Sequence, residues 1–291
     1  MSVDRPDVGP RPGDQPFGPE WSASLRRGTD AELRGWLDVA HAACDEADGL
    51  ARAGFRRDLQ VDTKPDRTFV TQVDTDIEAR IRERLLAAFP DHGLVGEEFG
   101  TEAGDASVRW YIDPIDGTHN FIRGVPIFGT LLAVERDGEL QAAVLSAPAL
   151  DERWWAHRGG GAWARARGAS SARRIGVSRV ANLADAQILY GGLRDIVGSG
   201  RAPGFRRLVD DAWRDRGFGD FWGYTLLAEG AAEAMIEVGL NAYDAAAPFL
   251  LVEEAGGRAT DLEGRRSIDT GTFVASNGHL HEVVRERLRT G

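Results

Sequence analysis

The sequence contains little cysteine and no long apolar run. Its 291 residues include a single cysteine, Cys44, which excludes an intrachain disulfide and a cysteine-rich zinc site. No apolar stretch approaches the roughly 20 residues of a membrane-spanning helix, and residues 1–20 lack the apolar core of a signal peptide. We therefore expect a soluble, cytoplasmic protein with no membrane partner.

Basic residues are also few. The chain has 35 Lys+Arg against 46 Asp+Glu, a formal net charge of −11. Such a charge repels phosphate backbones, so we expect no nucleic-acid partner, whereas it is compatible with bound cations. Lys64 is the one lysine of the chain. Lysine is a compact cation that arginine does not replace near a crowded metal or phosphate site, so Lys64 is a candidate for such a site. The alternative is that its position is due to chance.

The remaining composition is that of a globular protein, with 42% hydrophobic residues and enough apolar side chains for a large core. Residues 1–20 are rich in Pro, Gly and Asp and are predicted to be a disordered tail. Residues 21–175 are predicted to form an N-terminal α+β half with an antiparallel sheet, and residues 176–291 a C-terminal α/β half.

Local patterns predict individual elements. Apolar residues at helical spacing predict a helix over about 29–53, and Thr75-Asp-Ile-Glu78 predicts the capping box of a second helix. Asp137-Gly138 predicts a β-hairpin of segments 128–135 and 140–147. Further strands are predicted at 109–112, 153–157, 187–190, 235–238 and 273–275, and further helices at 205–214, 226–234 and 245–254.

The densest chemical signal is the segment Asp113-Pro-Ile-Asp116-Gly-Thr118, which follows a short predicted strand. Two carboxylates at one sheet edge are oxygen ligands of the kind that Mg²⁺ prefers. The N–H groups of Gly117 and Thr118 would suit a phosphate group. A turn followed by a helix cap is the structural alternative.

Other acidic residues stand at the junctions between predicted segments. Glu97 and Glu98 lie between glycines after an apolar pair. On the end of a strand their side chains would point to opposite faces, so at most one of them would enter a site directly. Asp74 and Asp244 each lie near the start of a predicted helix. An exposed acidic loop and ordinary helix capping are the alternatives.

In combination, these residues resemble the inositol-monophosphatase superfamily of Mg²⁺-dependent phosphomonoesterases. The matching segments run in the family's order from about residue 30 to the C-terminus: Lys64, 70–74 (VTQVD), 96–98 (GEE), 110–118 (WYIDPIDGT) and 243–246 (YDAA). Within the superfamily the chain is most similar to the bacterial histidinol-phosphate phosphatases, through segments 96–100, 120–126, 146–155 and 219–230. The resemblance implies a layered αβαβα sandwich of the inositol-monophosphatase (sugar phosphatase) type and a homodimer.

The resemblance also implies a site with two to three Mg²⁺ ions. Glu97, Asp113 and the Ile115 carbonyl would hold the first ion, and Asp113, Asp116 and Asp244 the second. A third, weakly held ion would rest on Glu97 and waters. In the two-metal scheme, a metal-activated water attacks phosphorus and no covalent phosphoenzyme is needed.

The resemblance further assigns roles in catalysis and substrate binding. Asp74 and Thr118 match the carboxylate–hydroxyl pair that orients and deprotonates the water, and the amides of Gly117 and Thr118 would bind phosphate oxygens. Glu237 matches a position that contacts the alcohol portion of the substrate. Together with Asp116 and Asp244 it would form a carboxylate-rich mouth, which suits a cationic amino alcohol.

Two departures from the subgroup pattern lie near the expected pocket. His119 stands where the subgroup often has lysine, and Tyr243 replaces the usual tryptophan before Asp244. His119 is therefore a further candidate site residue. Lys64 and Glu98, which belong to the segments that match the family, are also candidates, with Glu98 expected behind the metal ligands.

The function implied by the resemblance is hydrolysis of the small phosphomonoester L-histidinol phosphate to L-histidinol and phosphate in histidine biosynthesis. An inositol-1-phosphate or broader sugar-phosphate phosphatase is the enzymatic alternative. A non-catalytic regulatory protein is the alternative from another class, and the complete acidic set argues against it.

Overall fold

The computed structural model describes residues 27–64 and 69–289. The tail predicted for residues 1–20 lies outside the described residues. None of the helices in the described part of the chain combines the length and the apolar character needed to cross a membrane.

Eight helices and fifteen strands are formed by the described residues. The helices are α1 (Asp30–Gly54), α2 (Gln72–Ala88), α3 (Thr118–Ile122), α4 (Leu193–Gly198), α5 (Ala202–Asp211), α6 (Asp220–Ala228), α7 (Ala242–Glu254) and α8 (His281–Leu288). The strands are β1 (Val61–Thr63), β2 (Phe69–Thr71), β3 (His92–Gly96), β4 (Gly100–Glu102), β5 (Asp105–Asp116), β6 (Gly129–Arg136), β7 (Glu139–Ala147), β8 (Glu152–His157), β9 (Gly161–Arg165), β10 (Arg173–Ile175), β11 (Gln187–Tyr190), β12 (Arg214–Arg216), β13 (Ala234–Val238), β14 (Arg258–Thr260) and β15 (Thr272–Ser276).

The strands form two large sheets and one small ribbon. The first sheet has eight strands in the order β10-β9-β8-β7-β6-β5-β3-β4, and the second has five in the order β12-β11-β13-β15-β14. All neighbours in the first sheet are antiparallel except β3 and β5, which are parallel. In the second sheet β11 is parallel to β12 and β13, whereas β15 is antiparallel to β13 and β14. Strands β1 and β2 form the ribbon.

The sheets and helices alternate in five layers. Helices α1 and α2 pack on one face of the eight-stranded sheet, and α7 packs on its other face. Helices α6 and α7 also contact strands of the five-stranded sheet, whose far side carries α4 and α8, with α5 packed on α8. Three buried apolar clusters fill the spaces between these layers. This arrangement confirms the predicted layered αβαβα sandwich.

Several predicted elements are confirmed. Helix α1 begins after Thr29, whose side chain accepts a hydrogen bond from the Glu32 amide. Strands β6 and β7 form the predicted hairpin, in which Asp137 (φ 51°) and Gly138 (φ 81°) both have left-handed backbones. Such a two-residue turn matches the twist of the flanking strands.

The predicted capping box of the second helix is wrong by one helical turn. Helix α2 begins at Gln72, and its capping pair is Thr71 and Asp74, not Thr75 and Glu78. Glu78 is fully buried instead. Both Thr-x-x-Asp/Glu pairs satisfy the local pattern, so the choice between them is made by contacts with other parts of the chain.

Three other boundaries also differ from the predictions. The strand predicted at 109–112 extends through β5 to Asp116. The helix predicted at 205–214 ends at Asp211, because Arg214–Arg216 pair with β11. The helix predicted at 226–234 is displaced towards the N-terminus as α6, and Ala234 begins β13. The first sheet is not wholly antiparallel, and the division at residue 175 stays a prediction.

Candidate active site

The site is centred on the end of β5. The ladder between β5 and β6 shifts register between Asp113 and Asp116, so Asp113 lies opposite Leu131 and Asp116 opposite Gly129. The Thr130 hydroxyl donates a 2.8 Å hydrogen bond to the Pro114 carbonyl within this irregularity. A bulge of this kind redirects side chains at the end of a strand. It allows Asp113 and Asp116, three residues apart, to reach one site.

A third carboxylate arrives from α7. Asp244 lies in the first turn of this helix, where its Oδ2 accepts a 2.6 Å hydrogen bond from the Asn241 amide. The nearest carboxylate oxygens of Asp113, Asp116 and Asp244 all lie within 4.8 Å of one another. One oxygen of Asp244 therefore caps the helix, as the structural alternative predicted, and the carboxylate also lies beside the other two acids. Its role as a metal ligand stays a prediction.

Burial and mutual repulsion raise the pKa values of this cluster. The pKa of Asp113 lies well above its usual range because of burial and the nearby charges of Glu97, Asp116 and Asp244. Burial raises the pKa of Asp244 to about 6. Among the described residues, the buried Oδ1 of Asp113 has no hydrogen-bond partner. Unpartnered buried carboxylate oxygens are costly for a protein, and a bound cation removes that cost.

Glu97 and Glu98 approach the cluster from the loop after β3. The Lys64 ammonium donates 2.8 Å hydrogen bonds to the Oε1 atoms of both. Both side chains can reach the same ammonium because the strand ends at Gly96 and the alternation of directions ends with it. The expectation that at most one of them enters the metal site directly stays a prediction. Burial raises the pKa of Glu97 to about 7, against the opposing influence of Lys64.

Asp74 and Thr118 are in contact, as the resemblance implies. The Thr118 hydroxyl lies 3.2 Å from Asp74 Oδ1 and 2.9 Å from the Ile115 carbonyl oxygen, so its single proton is shared between two acceptors. Asp74 Oδ2 accepts hydrogen bonds from the amide and the hydroxyl of Thr71. Gly117, with φ 82°, precedes α3, which begins at Thr118. The left-handed backbone favours glycine there.

Glu237 lies near the end of β13. Its Oε2 accepts a 2.9 Å hydrogen bond from the Tyr224 hydroxyl, and Gly191 leaves the space that its side chain fills. Burial, followed by the charge of Asp220, raises the pKa of Glu237 to about 8.

Asp220 and Tyr224 lie beside Glu237, although no sequence motif had indicated a role for either. Asp220 has a left-handed backbone (φ 50°) at the start of α6, and its Oδ2 accepts a 3.2 Å hydrogen bond from the Asn120 side chain. The next amide, that of Phe221, donates to Asp116 Oδ2. Both Asp220 and Tyr224 lie in segment 219–230, which contributes to the subgroup resemblance, and that resemblance was the available signal.

The two departures from the subgroup pattern lie at different depths. His119 is exposed, and its ring packs edge-on against Phe69 with 5.1 Å between ring centroids. Tyr243 is half-buried, and burial together with the charges of Asp244 and Glu97 raises its pKa above the usual range. Tyr243 is therefore the nearer of the two to the acidic cluster.

The donor set fits a hard divalent cation. The three clustered aspartates offer only oxygen atoms, and one buried oxygen lacks a partner in the described part of the chain. Magnesium is bound by few carboxylates together with waters and substrate phosphate, whereas zinc sites use nitrogen and sulfur ligands more often.

Comparisons with known proteins identify relatives. The profile of the inositol monophosphatase family matches residues 32–290. A histidinol-phosphatase of Mycobacterium tuberculosis is 44% identical over 88% of this chain and 98% of its own length. An inositol-1-monophosphatase of Rhizobium meliloti is 36% identical over 81% of this chain and 88% of its own length. Among solved structures, the extragenic suppressor protein suhB of Bartonella henselae aligns with a TM-score of 0.80 at 30% identity, covering 88% of this chain and 98% of that one.

Proposed function

Because the chain belongs to the inositol monophosphatase family, we propose that it is a Mg²⁺-dependent phosphomonoesterase that hydrolyses L-histidinol phosphate to L-histidinol and phosphate. The observation that carries the proposal is a cluster of three carboxylates, of which the buried one of Asp113 has an unpartnered oxygen, in a chain 44% identical to a histidinol-phosphatase.

The ligand set follows the residues at the end of β5. Glu97, Asp113 and the Ile115 carbonyl would hold one Mg²⁺, and Asp113, Asp116 and Asp244 a second. A third, weaker position would rest on Glu97. The Ile115 carbonyl accepts one hydrogen bond from Thr118 and retains a second lone pair. The bound ions would supply Lewis acidity and neutralise charge on the phosphate and the leaving oxygen.

Asp74 and Thr118 would handle the proton of the attacking water. The water gives a proton to Thr118 Oγ1 as the threonine proton passes to Asp74 Oδ1, at 3.2 Å. The two hydrogen bonds from Thr71 occupy Oδ2 and keep Oδ1 aimed at Thr118. Burial raises the pKa of Asp74, which makes this carboxylate a stronger base than a surface aspartate.

Gly117 and Thr118 would bind the phosphate. Helix α3 begins at Thr118, and the first N–H groups of a helix have no partner within it. Such groups favour anions. Most of the rate enhancement would come from positioning and charge stabilisation, as phosphoryl transfer leaves little covalent work to the protein.

Glu237 would recognise the leaving group. Tyr224 donates to its Oε2, and the Asp220 backbone contributes a further hydrogen bond. Because each carboxylate oxygen has more than one lone pair, acceptor capacity remains for the substrate. The charges of Asp220 and Asp244 raise the pKa of Glu237. Asp116 also interacts electrostatically with Glu237. A cationic amino alcohol gains Coulomb energy at such a position, whereas a neutral polyol gains hydrogen bonds alone.

The first experiment compares phosphate release from L-histidinol phosphate and from inositol 1-phosphate at equal concentration with Mg²⁺. We expect a strong preference for L-histidinol phosphate. In an assay above pH 8, where Glu237 is ionised, Glu237→Gln should reduce that preference about tenfold, because it removes the charge and keeps the shape. A preference of the wild type for inositol 1-phosphate would contradict the substrate proposal and leave the phosphatase proposal standing.

The regulatory alternative is tested separately. If the protein acts without catalysis, Asp113→Asn should leave its cellular phenotype intact. Loss of the phenotype together with loss of phosphate release would exclude a purely regulatory role. We further propose a cytoplasmic homodimer, as the family resemblance implies, and sedimentation velocity of the purified protein measures the oligomeric state.

A further inference from the structure

The loop that carries Glu97 and Glu98 is held by a buried residue of α2. Glu78 Oε2 accepts a 2.7 Å hydrogen bond from the Glu98 amide, and Oε1 accepts one of 3.2 Å from the Phe99 amide. The preceding amide, that of Glu97, donates to the Ile112 carbonyl of β5. Three consecutive N–H groups of the loop are thereby fixed, two of them by one side chain.

Glu78 is itself held rigidly. Its side chain is fully buried, and the Arg82 Nε donates to Oε1 at 2.8 Å from the next turn of the same helix. The Arg82 Nη2 group continues to the Gly100 carbonyl at the end of the loop, at 2.5 Å. A buried pair of this kind has little freedom to rearrange, because either charge left alone would be strongly destabilising.

Gly96 leaves the space that this carboxylate occupies. A Cβ atom built at Gly96 would lie 2.0 Å from Glu78 Oε1 and 2.9 Å from Arg82 Nη2. The glycine immediately before the two acids is therefore part of the same arrangement, and it offers a way to disturb Glu78 without replacing it.

We propose that Glu78 is a positioning residue of the metal site, which fixes the backbone of the 97–99 loop so that Glu97 faces Asp113. The inference rests on the proposed function, since it assumes that Glu97 binds Mg²⁺. Glu78 does not contact the clustered aspartates. It acts through the loop backbone, whose Glu97 amide is bound to the Ile112 carbonyl of β5, the residue directly before Asp113.

The test is calorimetric titration of the purified full-length chain with MgCl₂ in the absence of substrate. Glu78→Gln keeps the size of the side chain but replaces one acceptor oxygen by a donor, so we expect weaker Mg²⁺ binding by about tenfold, as for other residues that orient metal ligands. In activity assays the half-saturating Mg²⁺ concentration should rise by a similar factor. KM for the phosphomonoester at saturating Mg²⁺ should stay unchanged.

Two further variants separate positioning from general stability. Asp48→Asn removes another buried carboxylate that is paired with an arginine, and it should lower the melting temperature without changing Mg²⁺ affinity. In a Glu97→Gln background, Glu78→Gln should have no further effect on Mg²⁺ binding, because the ligand that it positions is already gone.

The possible results are distinguishable. Wild-type Mg²⁺ affinity in folded Glu78→Gln, or an equal loss in Asp48→Asn, would overturn the inference and leave the proposed function intact. Absence of Mg²⁺ binding by the wild type would overturn both. If Glu78→Gln does not fold, Gly96→Ala decides in its place, and unchanged affinity in that variant overturns the inference.

Discussion

Two buried aspartates show how differently the chain treats negative charge in two regions of its interior. Asp48 of α1 accepts hydrogen bonds from the Ser146 hydroxyl and from the Arg153 guanidinium at 2.8–2.9 Å. Asp113 is equally buried, but its Oδ1 has no partner among the described residues. Burial raises the pKa of both; Arg153 opposes that rise at Asp48, whereas other carboxylates reinforce it at Asp113.

The protein therefore gives up stability at the site and not at Asp48. A carboxylate that serves the fold is supplied with an arginine from a neighbouring strand, while the carboxylates of the site are placed together and left largely to an external cation. Stability surrendered at one place in this way is a sign of function.

Asp113→Asn should have the largest effect on activity. We expect phosphate release to fall at least about a hundredfold, because an asparagine is a poor ligand for a hard cation in a preorganised site. The metal-free protein should become more stable by about 1 kcal/mol, since one repelling charge is removed. This gain corresponds to a rise of about 2–4 °C in its melting temperature. Thermal melts in EDTA measure it, and a lower melting temperature would contradict the comparison.

Asp48→Asn should do the reverse. Breaking a buried ion pair from one side costs about 3–5 kcal/mol, which lowers the melting temperature by about 6 °C or more. The Mg²⁺ dependence and kcat of the folded protein should not change. An altered Mg²⁺ dependence would mean that this network and the site are coupled.

The stability of the metal-free protein should fall as the pH rises. Burial raises the pKa values of Asp244, Glu97 and Glu237 to about 6, 7 and 8, from ordinary values of 3.8 for Asp and 4.5 for Glu. The folded state therefore binds more protons than the unfolded state between about pH 4 and pH 8, and stability declines across that window. Saturating Mg²⁺ should make this decline in stability with pH shallower. Melting temperatures measured across the pH range in EDTA and in Mg²⁺ test this directly.

Asp220→Asn should have the smallest effect. Asparagine tolerates the left-handed backbone at this position, and its side-chain oxygen can still accept the hydrogen bond from Asn120. Removing one charge from the cluster should raise the melting temperature of the metal-free protein by about 1–2 °C. A decrease would show that the Asp220 carboxylate has a structural role, like that of Asp48.

Most of the architecture could be predicted from local sequence. The Asp137-Gly138 hairpin was predictable because its turn needs a left-handed backbone that only a few residue types adopt. The 113–118 segment places two acids at a sheet edge whichever strands pair with it. The predicted layers are likewise confirmed, because the alternation of strands and helices leaves few arrangements for them.

The errors lie where a partner distant in sequence decides. Thr71–Asp74 and Thr75–Glu78 are equal as capping boxes, and only the positions of Thr118 and of the 97–99 loop select between them. Arg214–Arg216 looks like the end of a polar helix, yet β11 takes it as an edge strand. The role of Glu78 was not predictable either, because no local pattern says which amides a buried carboxylate will meet.

The positions of Asp74 and Glu78 make helix α2 a fixed spacer between two parts of the site. The two residues are four apart, so they lie on one face with a rise of about 6 Å between them. One insertion between them would turn Glu78 by about 100° around the helix axis and separate both attachments at once. Variation in chain length is therefore tolerable at the ends of α2 but not within this turn.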